Sequence, residues 1–600
     1  MIESVPPFVP VLVAAAIAAV APRTVGHAVG FLATAGVAVG ALLVPDGTLI
    51  AGQLFGFETV LYAVDDFSRL MGLIFGLIGA AAVLYSYSSE ADGKQTAAAL
   101  GYVGTSLGAV FAGDWLTLVF FWELMAVTST LLVWHYGGRA VRTGFRYALA
   151  HGIGGTIVLG AVVWQYAEVG SFLFSEATGV VGPVAPILMA VGIGVNVGFI
   201  GLHTWLPDTY PSPHIAASVF LCVYTTKTGV YAMFRAFPEG HLWIAYMGGA
   251  MAVFGASMAL LQEDMRRLLS YHIISQVGYM VAGVGITSEL ATAGAFGHIF
   301  NHILYKALLF MSIGVVIYRT GIEDITEVGG LWKVMPLTFI SYLFGAAAIS
   351  GVPGFNGFVS KGIVIAEAHY SMDTFVIGSK SMFLGGEDLL WWMLIIGGVG
   401  TFMSFIKLGY YVFFHGSASI DPDDAKIGQA APMLAVGSLC LAFGLLPGVL
   451  FELLPYTDVV TAEYTTYTVP HVIEGVVLGV AGFIGFFALK NVLSRLTWVP
   501  DVDRVLNPAV FYGGRALVVA VTETWAAVDR VAVAVASGAL RVGSDPQHYA
   551  YTTAKRLPGI ETDTRPNGGR PETIDLRVSM GTSVFLIVMT LLGALTVLLL

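Results

Sequence analysis

The chain has 600 residues, of which 56% are hydrophobic and only 11% are charged, and its formal net charge is −11. A soluble domain carries roughly 25% charged residues, so this composition excludes a soluble globular protein. The acidic balance, with a pI near 5.6, also argues against nucleic acid as a partner.

Apolar runs of about 20 residues recur along the chain, and each is long enough to cross the hydrocarbon core of a bilayer. About sixteen such runs can be recognised, and they centre near residues 14, 35, 77, 104, 125, 154, 195, 222, 250, 277, 305, 352, 402, 440, 480 and 588. The sequence therefore predicts an all-α polytopic membrane protein with about 14–16 transmembrane helices. The stretch Thr48–Tyr62 is too short and mixed for a span, and we interpret it as a surface hairpin.

Two of the predicted spans contain helix-breaking residues. The segments read GVNVGFIGLHTWLPDTYPSP and AAAISGVPGFNGFVSK, and their breakers are Gly201, Pro207, Gly351, Pro353 and Gly354. Broken helices in corresponding positions of two halves are typical of inverted-repeat transporters. We therefore predict two related repeats, at 93–237 and 238–415. The alternative is an ordinary proline kink in each span.

The remaining segments flank these repeats. Residues 1–92 are predicted to form N-terminal transmembrane helices, and residues 416–496 to form C-terminal ones. Residues 497–600 change in character: 501–545 mix apolar and charged residues, as an amphipathic helix does. We expect a polar loop over 546–575 and a final span from about 577 to 600.

One apolar run, Thr292–Tyr318, carries three ionisable residues at intervals of four, namely His298, His302 and Lys306. A helix advances about 1.5 Å per residue, so these side chains lie along a slowly rotating stripe about 12 Å long. Ionisable groups at membrane depth are costly and usually face a wet or protein-lined interior. The pattern indicates steps for a proton. The alternative for either histidine is a packed, hydrogen-bonded core residue.

Further ionisable residues lie in or near other spans. Glu123 and Lys227 lie in mid-span, where a group that can gain and lose a proton is a functional candidate. The alternative for Glu123 is a structural ion pair or a helix-end anchor. Lys361 follows the second broken helix, and an anchoring role is an equal alternative for it. Lys407 lies near the end of its span, where snorkelling to the surface is the favoured interpretation.

Metal and cofactor chemistry find little support in the sequence. The spacing of His298 and His302 fits two metal ligands on one helical turn, but no HExxH motif or further ligand accompanies it. Nucleotide, flavin, haem and iron–sulfur motifs are not found either. We therefore expect no metal, no cofactor and no catalytic residue, and an ion gradient or a partner as the energy source.

Six segments together resemble the antiporter-like membrane subunits of Mrp-type cation/proton antiporters and of respiratory complex I. They are FFWELMAVTSTLL, LHTWLPDTYPSP, TTKTGVYAMFR, EDMRRLLSYHIISQVGYM, HIFNHILYKALLFMSIG and GVPGFNGFVSK. They cover most of residues 60–415 in the family's order. Among the subtypes, the chain is most similar to the Mrp D-type subunit.

This resemblance implies a fold and a pathway. The fold would contain two inverted five-helix repeats, each with a broken helix. A hydrated polar axis across the membrane plane would carry protons along Glu123, Lys227, His298, His302, Lys306 and Lys361. Lys407 is a possible addition to that path.

The chain also departs from the family pattern. The family usually has a lysine seven residues ahead of the histidine of its LHxWLP motif, and here that position is Asn196. Asparagine cannot hold a charge that pairs with Glu123. Glu123 would then either be protonated more readily or use another partner, such as Lys227. His151 is a possible substitute proton carrier, with a core histidine as the equal alternative. A Tyr271–His272 pair replaces the usual Tyr–Ser pair, and the C-terminal extension is a further departure.

The resulting interpretation is a proton-translocating subunit of a multisubunit Na⁺/H⁺ antiporter, which is part of a transporter and not an enzyme. Its partners would be the other subunits, protons, Na⁺ and the lipid bilayer, and it would lie in the cell membrane as a multi-pass protein. One alternative is a proton-pumping subunit of a complex I-like NADH:quinone oxidoreductase or membrane-bound hydrogenase, without its own redox site. A further alternative is a membrane subunit of an inorganic-carbon uptake complex.

Overall fold

The computed structural model describes residues 5–175, 178–370, 389–416, 421–493, 495–496, 501–556 and 558–559. Its contacts divide the chain into two units, Met1–Val499 and Pro500–Leu600, and each unit is described by itself. The final span predicted near residues 577–600 lies outside the described residues.

The first unit is built mainly from helices. Its first part comprises α1 (Phe8–Val20), α2 (Arg23–Leu43), β1 (Gly47–Leu54), β2 (Phe57–Val64), α3 (Asp66–Ser88), α4 (Gly93–Val110), α5 (Trp115–Trp134) and α6 (Arg139–Val169). Shorter helices follow: α7 (Ala185–Val197), α8 (Trp205–Thr209), α9 (Ile215–Leu221) and α10 (Tyr224–Ala236).

Its second part begins with α11 (Leu242–Leu260), α12 (Met265–Gly285), α13 (Glu289–Thr320), α14 (Pro336–Ser350) and α15 (Asn356–Tyr370). It continues with α16 (Leu389–Gly409), a π-helical turn (Tyr410–Phe414), α17 (Ile427–Leu445), α18 (Pro447–Phe451), α19 (Thr457–Glu463) and α20 (Val469–Leu493).

The helical, multi-pass prediction is confirmed. Within the described residues, 10 helices are long and apolar enough to cross a membrane. The predicted span centres at 222 and 352 fall in short interruptions between helices, and the centre near 588 is not described. The other centres fall within helices.

The predicted surface hairpin is confirmed as an antiparallel pair of β1 and β2, with Leu54 opposite Phe57. Its two loop residues, Phe55 and Gly56, have φ angles of 53° and 84°. Two successive positive φ angles are the backbone requirement of a type I′ hairpin turn.

The two broken spans have the same backbone geometry. α7 ends at Gly198 (φ 78°) and is followed by Gly201 (φ 95°), whereas α14 ends at Gly351 (φ 85°) and is followed by Gly354 (φ 97°). Glycine adopts this left-handed conformation without a Cβ clash, so it ends each helix at a defined point. The two positive-φ glycines are spaced alike in both spans, which favours two related repeats. The inverted orientation of the repeats stays a prediction.

The long helix α13 lies at the centre of the first unit, where it packs against α3, α9, α12, α14, α15 and α17. Glycines bring α11 and α12 close together. A Cβ on Gly248 would stand 2.3 Å from Ala282 N, and one on Gly255 would stand 2.3 Å from Ser275 N. Small residues allow such close backbone approach in membrane bundles. α12 also packs against α13.

The second unit contains α21 (Asp503–Ser544) and α22 (Pro546–Ala554). α21 occupies the segment in which the sequence predicts an amphipathic helix. α22 differs from the expected polar loop, because the Asp545 side chain accepts a hydrogen bond from His548 N and Pro546 starts the helix. These are favourable helix-start signals, and they outweigh the polar composition.

Candidate functional site

α13 places three ionisable side chains in the protein interior, and His298, His302 and Lys306 are all fully buried. The ring centroids of His298 and His302 are 6.3 Å apart. His298 Nδ1 lies 3.0 Å from Ser360 Oγ, and its Nε2 lies 3.3 Å from the Tyr305 hydroxyl. His298 therefore connects this row on α13 to Ser360 on α15, the residue before Lys361.

Several nitrogens of this row have no fixed partner. Both ring nitrogens of His302 and Nζ of Lys306 are buried without a hydrogen bond in the part of the chain that the structure describes. Buried polar atoms are normally satisfied, so each exception calls for an explanation. Lys227, Lys306 and Lys361 are close enough for their charges to act on His302. The unprotonated ring nitrogen of a neutral His302, or Nζ of a neutral Lys306, can accept a mobile proton.

Lys227 lies on α10 and is fully buried. Its Nζ donates a hydrogen bond of 2.6 Å to the carbonyl oxygen of Cys222. That carbonyl lies at the interruption between α9 and α10, where intrahelical bonds end. Carbonyls at helix C-termini carry partial negative charge and favour a cation. This interruption was not predicted, because it contains neither glycine nor proline.

Lys361 lies on α15 and is 5% exposed. Its Nζ donates a hydrogen bond of 2.7 Å to Ile349 O, near the C-terminus of α14. The amine also lies 4.8 Å from the centroid of the Tyr279 ring. Lys361 thus has the same kind of partner as Lys227, a carbonyl freed where a span is interrupted, and its amine is directed into the protein.

Glu123 is half-buried on α5 and lies against α6. Its Oε1 is only 1.7 Å from the position that a Cβ on Gly155 would take. Among the described residues, no ion pair is formed by Glu123, and its expected partner Lys227 is bonded to Cys222 O instead. The structure therefore does not bring Glu123 and Lys227 together as a pair.

His151 and Asn196 are both buried and form a direct contact. His151 Nδ1 lies 2.9 Å from Asn196 Oδ1, so the Nδ1–H donates to the amide oxygen. His151 Nε2 is left buried with no partner among the described residues. His151 precedes Gly155 by one helical turn, so the pair lies one turn of α6 from the Glu123 carboxylate.

A network of hydroxyl groups surrounds this pair. The Tyr147 and His151 ring centroids are 4.1 Å apart. The Tyr147 hydroxyl donates to Ser129 Oγ at 2.9 Å and lies 3.2 Å from Thr225 Oγ1, two residues before Lys227. Sequence reasoning missed this network. Its one signal is Tyr147, placed four residues before His151 on the same helical face.

Lys407 is buried and does not reach the surface as the snorkelling interpretation expects. Its Nζ donates to Leu260 O at 2.8 Å and to Gln262 O at 2.7 Å, both at the end of α11. The amine satisfies carbonyls that the helix itself leaves without partners. This geometry is that of a structural cap.

Two buried histidines were not singled out as site residues. Both ring nitrogens of His272 are buried without a partner in the described part of the chain, and the charges of Lys306 and Lys361 act on it. His203 Nδ1 accepts a hydrogen bond from Gly201 N at 3.3 Å, within the first broken span. The replacement of a serine by His272 in the family pattern was the available signal.

Residues 112–385 match the family model described as NADH:quinone oxidoreductase/Mrp antiporter, TM. This part of the chain is similar to that membrane family. The matched range extends from the start of α5 beyond α15, so it contains Glu123, His151, Lys227, the α13 row and Lys361. The resemblance inferred from the sequence motifs is confirmed.

Individual relatives agree with this assignment. The A/B-type subunit of a probable K⁺/H⁺ antiporter from Rhizobium meliloti (strain 1021) is 29% identical, over 74% of this chain and 47% of that protein. The D-type subunit of a Na⁺/H⁺ antiporter from Alkalihalophilus pseudofirmus is 28% identical, over 66% of this chain and 82% of that protein. The chain thus spans less than half the length of the first relative.

A solved structure shares the fold. A chain of the Mrp complex from Dietzia sp. DQ12-45-1b superimposes with a TM-score of 0.67 and 22% sequence identity. The match covers 78% of this chain and 99% of that chain. The chain therefore has the fold of a membrane protein found in an assembly of several subunits.

Proposed function

We propose that this chain is the proton-translocating subunit of a multisubunit monovalent cation/proton antiporter, with Na⁺ as the cation. The observation that carries the proposal is the row of buried ionisable groups that runs through α10, α13 and α15. Such groups are expensive inside a membrane protein and mark ion or proton pathways. The Na⁺/H⁺ antiporter name of a relative supports the choice of cation.

The proton path begins on the side of Glu123 and Lys227, continues through His302, His298 and Lys306, and leaves near Lys361. The contacts from His302 through Tyr305 to His298, and from His298 to Ser360, support the part of this path that runs from His302 through His298 towards Lys361. Because the charges of neighbouring sites act on one another, a proton arriving at one site changes the occupancy of the next.

His151 takes part at the start of this path, where Asn196 replaces the family lysine. Its contact with Asn196 and its unpartnered Nε2 support this role. It provides a titratable group one turn from Glu123, which lacks an ion-pair partner among the described residues. Lys407 is left out of the path, because its amine caps α11.

The proposal also includes the partners and the membrane of this chain. The partners are other subunits of the antiporter, protons, Na⁺ and the surrounding lipid, and the location is the cell membrane. The multisubunit Mrp complex that shares this fold supports the partners.

The decisive experiment measures Na⁺-dependent proton flux in vesicles that carry the assembled complex. Glu123→Ala and Lys227→Ala are each expected to abolish flux while the subunit content of the complex stays normal. The matched control is Lys333→Ala, which removes an exposed lysine and should leave flux unchanged. Normal Na⁺-dependent flux in either pathway variant would rule out this mechanism.

A second candidate is a proton-pumping subunit of a redox complex, because the family model also includes NADH:quinone oxidoreductase subunits. Purification of the native complex with identification of its subunits distinguishes the two. Iron–sulfur or quinone-site subunits would favour the redox complex, and small antiporter subunits would favour the first proposal.

A further inference from the structure

A small cavity lies between α15 and α20, beside the second interrupted span. Lys361, Tyr279, His471 and Glu474 are among the residues that line it. The space open to the centre of a water molecule is about 20 Å³. A cavity of roughly 10–15 Å³ on this measure accommodates one water, so one water fits among these polar groups.

His471 is held in a defined orientation on one wall of the cavity. Its Nδ1 lies 2.8 Å from Thr466 O, so the Nδ1–H donates to that carbonyl. Its ring stacks on Phe358, with the centroids 4.0 Å apart. A Cβ on Gly362 would stand 2.4 Å from His471 Nε2. Only glycine at this position lets the ring lie so close to α15, next to Lys361.

Glu474 lies in the second turn of α20 and is half-buried. Its neighbours Ile473 and Val477 are exposed on the outer face of α20, with exposed fractions of 56% and 57%. In the described residues Glu474 forms no ion pair, although His369 on α15 acts on it electrostatically. The carboxylate therefore lines the cavity at the edge of the bundle. A carboxylate on a membrane helix without a structural partner is a functional candidate.

We propose that Glu474 is the carboxylate through which protons leave the pathway after Lys361. This inference rests on the proposed function, and it adds an exit group on a helix outside both predicted repeats. The Lys361 ammonium gives a proton to water in the cavity, and water carries a proton on to the Glu474 carboxylate. The carboxylic acid then gives its proton to bulk water, and Lys361 remains as a neutral amine.

Several other titratable groups lie around Glu474. They are Lys361 and His369 on α15, Tyr279 on α12, and His471 and Tyr464 beside the start of α20. His471 is a positioning residue, because its Nδ1–H is engaged by Thr466 O and only Nε2 remains as an acceptor.

The test compares Glu474→Gln with the matched control Glu463→Gln in the full complex, by Na⁺-dependent proton flux in vesicles. Glu463 is an exposed carboxylate at the end of α19. Loss of a proton-transfer group typically costs about 100-fold or more in rate, so Glu474→Gln should lower flux by about 100-fold. Its pH profile should lose one ionisation, whereas Glu463→Gln should match the wild type.

Wild-type flux in assembled Glu474→Gln would overturn the exit role. If that variant assembles poorly, Glu474→Asp and Glu474→Asn are compared per assembled complex: about 10-fold higher flux with aspartate supports the role, and equal flux overturns it. Lys227→Ala in the same membranes tests the proposed function separately. Normal flux in Lys227→Ala refutes the pathway itself, while a defect there with normal Glu474→Gln refutes only the exit.

Discussion

Lys227, in the first part of the first unit, and Lys361, in its second part, have the same kind of hydrogen-bond partner. The ionisable groups around the two lysines are arranged differently. Lys227 and Lys361 each donate to a carbonyl at an interrupted span, Cys222 O in one half and Ile349 O in the other. Around Lys361, contacts run continuously from His302 through His298 to Ser360. The first half has no such continuous line of ionisable groups among its described residues, since Glu123 and Lys227 are not paired.

This difference indicates that the first half departs from the family pattern near His151 and Asn196. The anchored lysine is the feature that both halves share, so we infer that it is the basic element of the site. In the proposed pathway, the group that supplies a proton to this lysine differs between the two halves. In the first half, His151 and Asn196 occupy the region in which the family pattern has a lysine. Variants that alter one half alone therefore test the comparison.

The largest of these effects is expected from His151→Ala. Removing the imidazole should lower Na⁺-dependent proton flux by about 100-fold, because it removes a proton-transfer group near Glu123. Adding Asn196→Lys to this variant should restore part of the flux, since it places an amine in the same region. The matched control is His241→Ala, an exposed histidine. Wild-type flux in assembled His151→Ala would show that this histidine is a core residue only.

A smaller effect is expected from Gly155→Ala. The new Cβ would overlap Glu123 Oε1, at 1.7 Å, so the carboxylate must move away from α6. A displacement of this size near a transfer step can cost up to about 100-fold, and we expect about 10-fold lower flux because the glutamate side chain is flexible. Gly160→Ala on the same helix meets nothing within 4 Å and serves as control. Equal flux in both variants would separate Glu123 from the path.

The smallest effect on flux is expected from Lys407→Ala. The variant loses two hydrogen bonds to the end of α11, and bonds made by a charged group contribute about 1.5–3 kcal/mol each. The thermal stability of the purified complex should therefore fall, while flux per assembled complex stays unchanged. Lys333→Ala, at an exposed site, should alter neither quantity. A flux defect without loss of stability would return Lys407 to the pathway.

Much of the helical framework could be predicted from the sequence. Run length identifies the spans, and Gly201, Gly351 and Gly354 mark interruptions because glycine tolerates positive φ angles. The four-residue spacing of His298, His302 and Lys306 fixes their place on one helix. These are local properties, and they depend on neighbours in the chain.

The contacts between distant segments could not be predicted in the same way. The break at Cys222 carries no glycine or proline, so it becomes visible only through the carbonyl that Lys227 uses. The contact of His151 with Asn196 depends on the packing of α6 against α7. The cavity between α15 and α20 joins Lys361 to Glu474 across a long sequence separation. Periodicity and residue type contain no information on such pairings.

The carbonyl partners of Lys227 and Lys361 can accept a hydrogen bond from the lysine in either of its protonation states. An ammonium has three N–H donors, and a neutral amine keeps two of them. Each lysine can therefore lose its proton and still donate to the same backbone oxygen. The same hydrogen bond can then hold the nitrogen in both protonation states. In the proposed pathway, a change of charge on either lysine therefore does not by itself break its contact with the interrupted span.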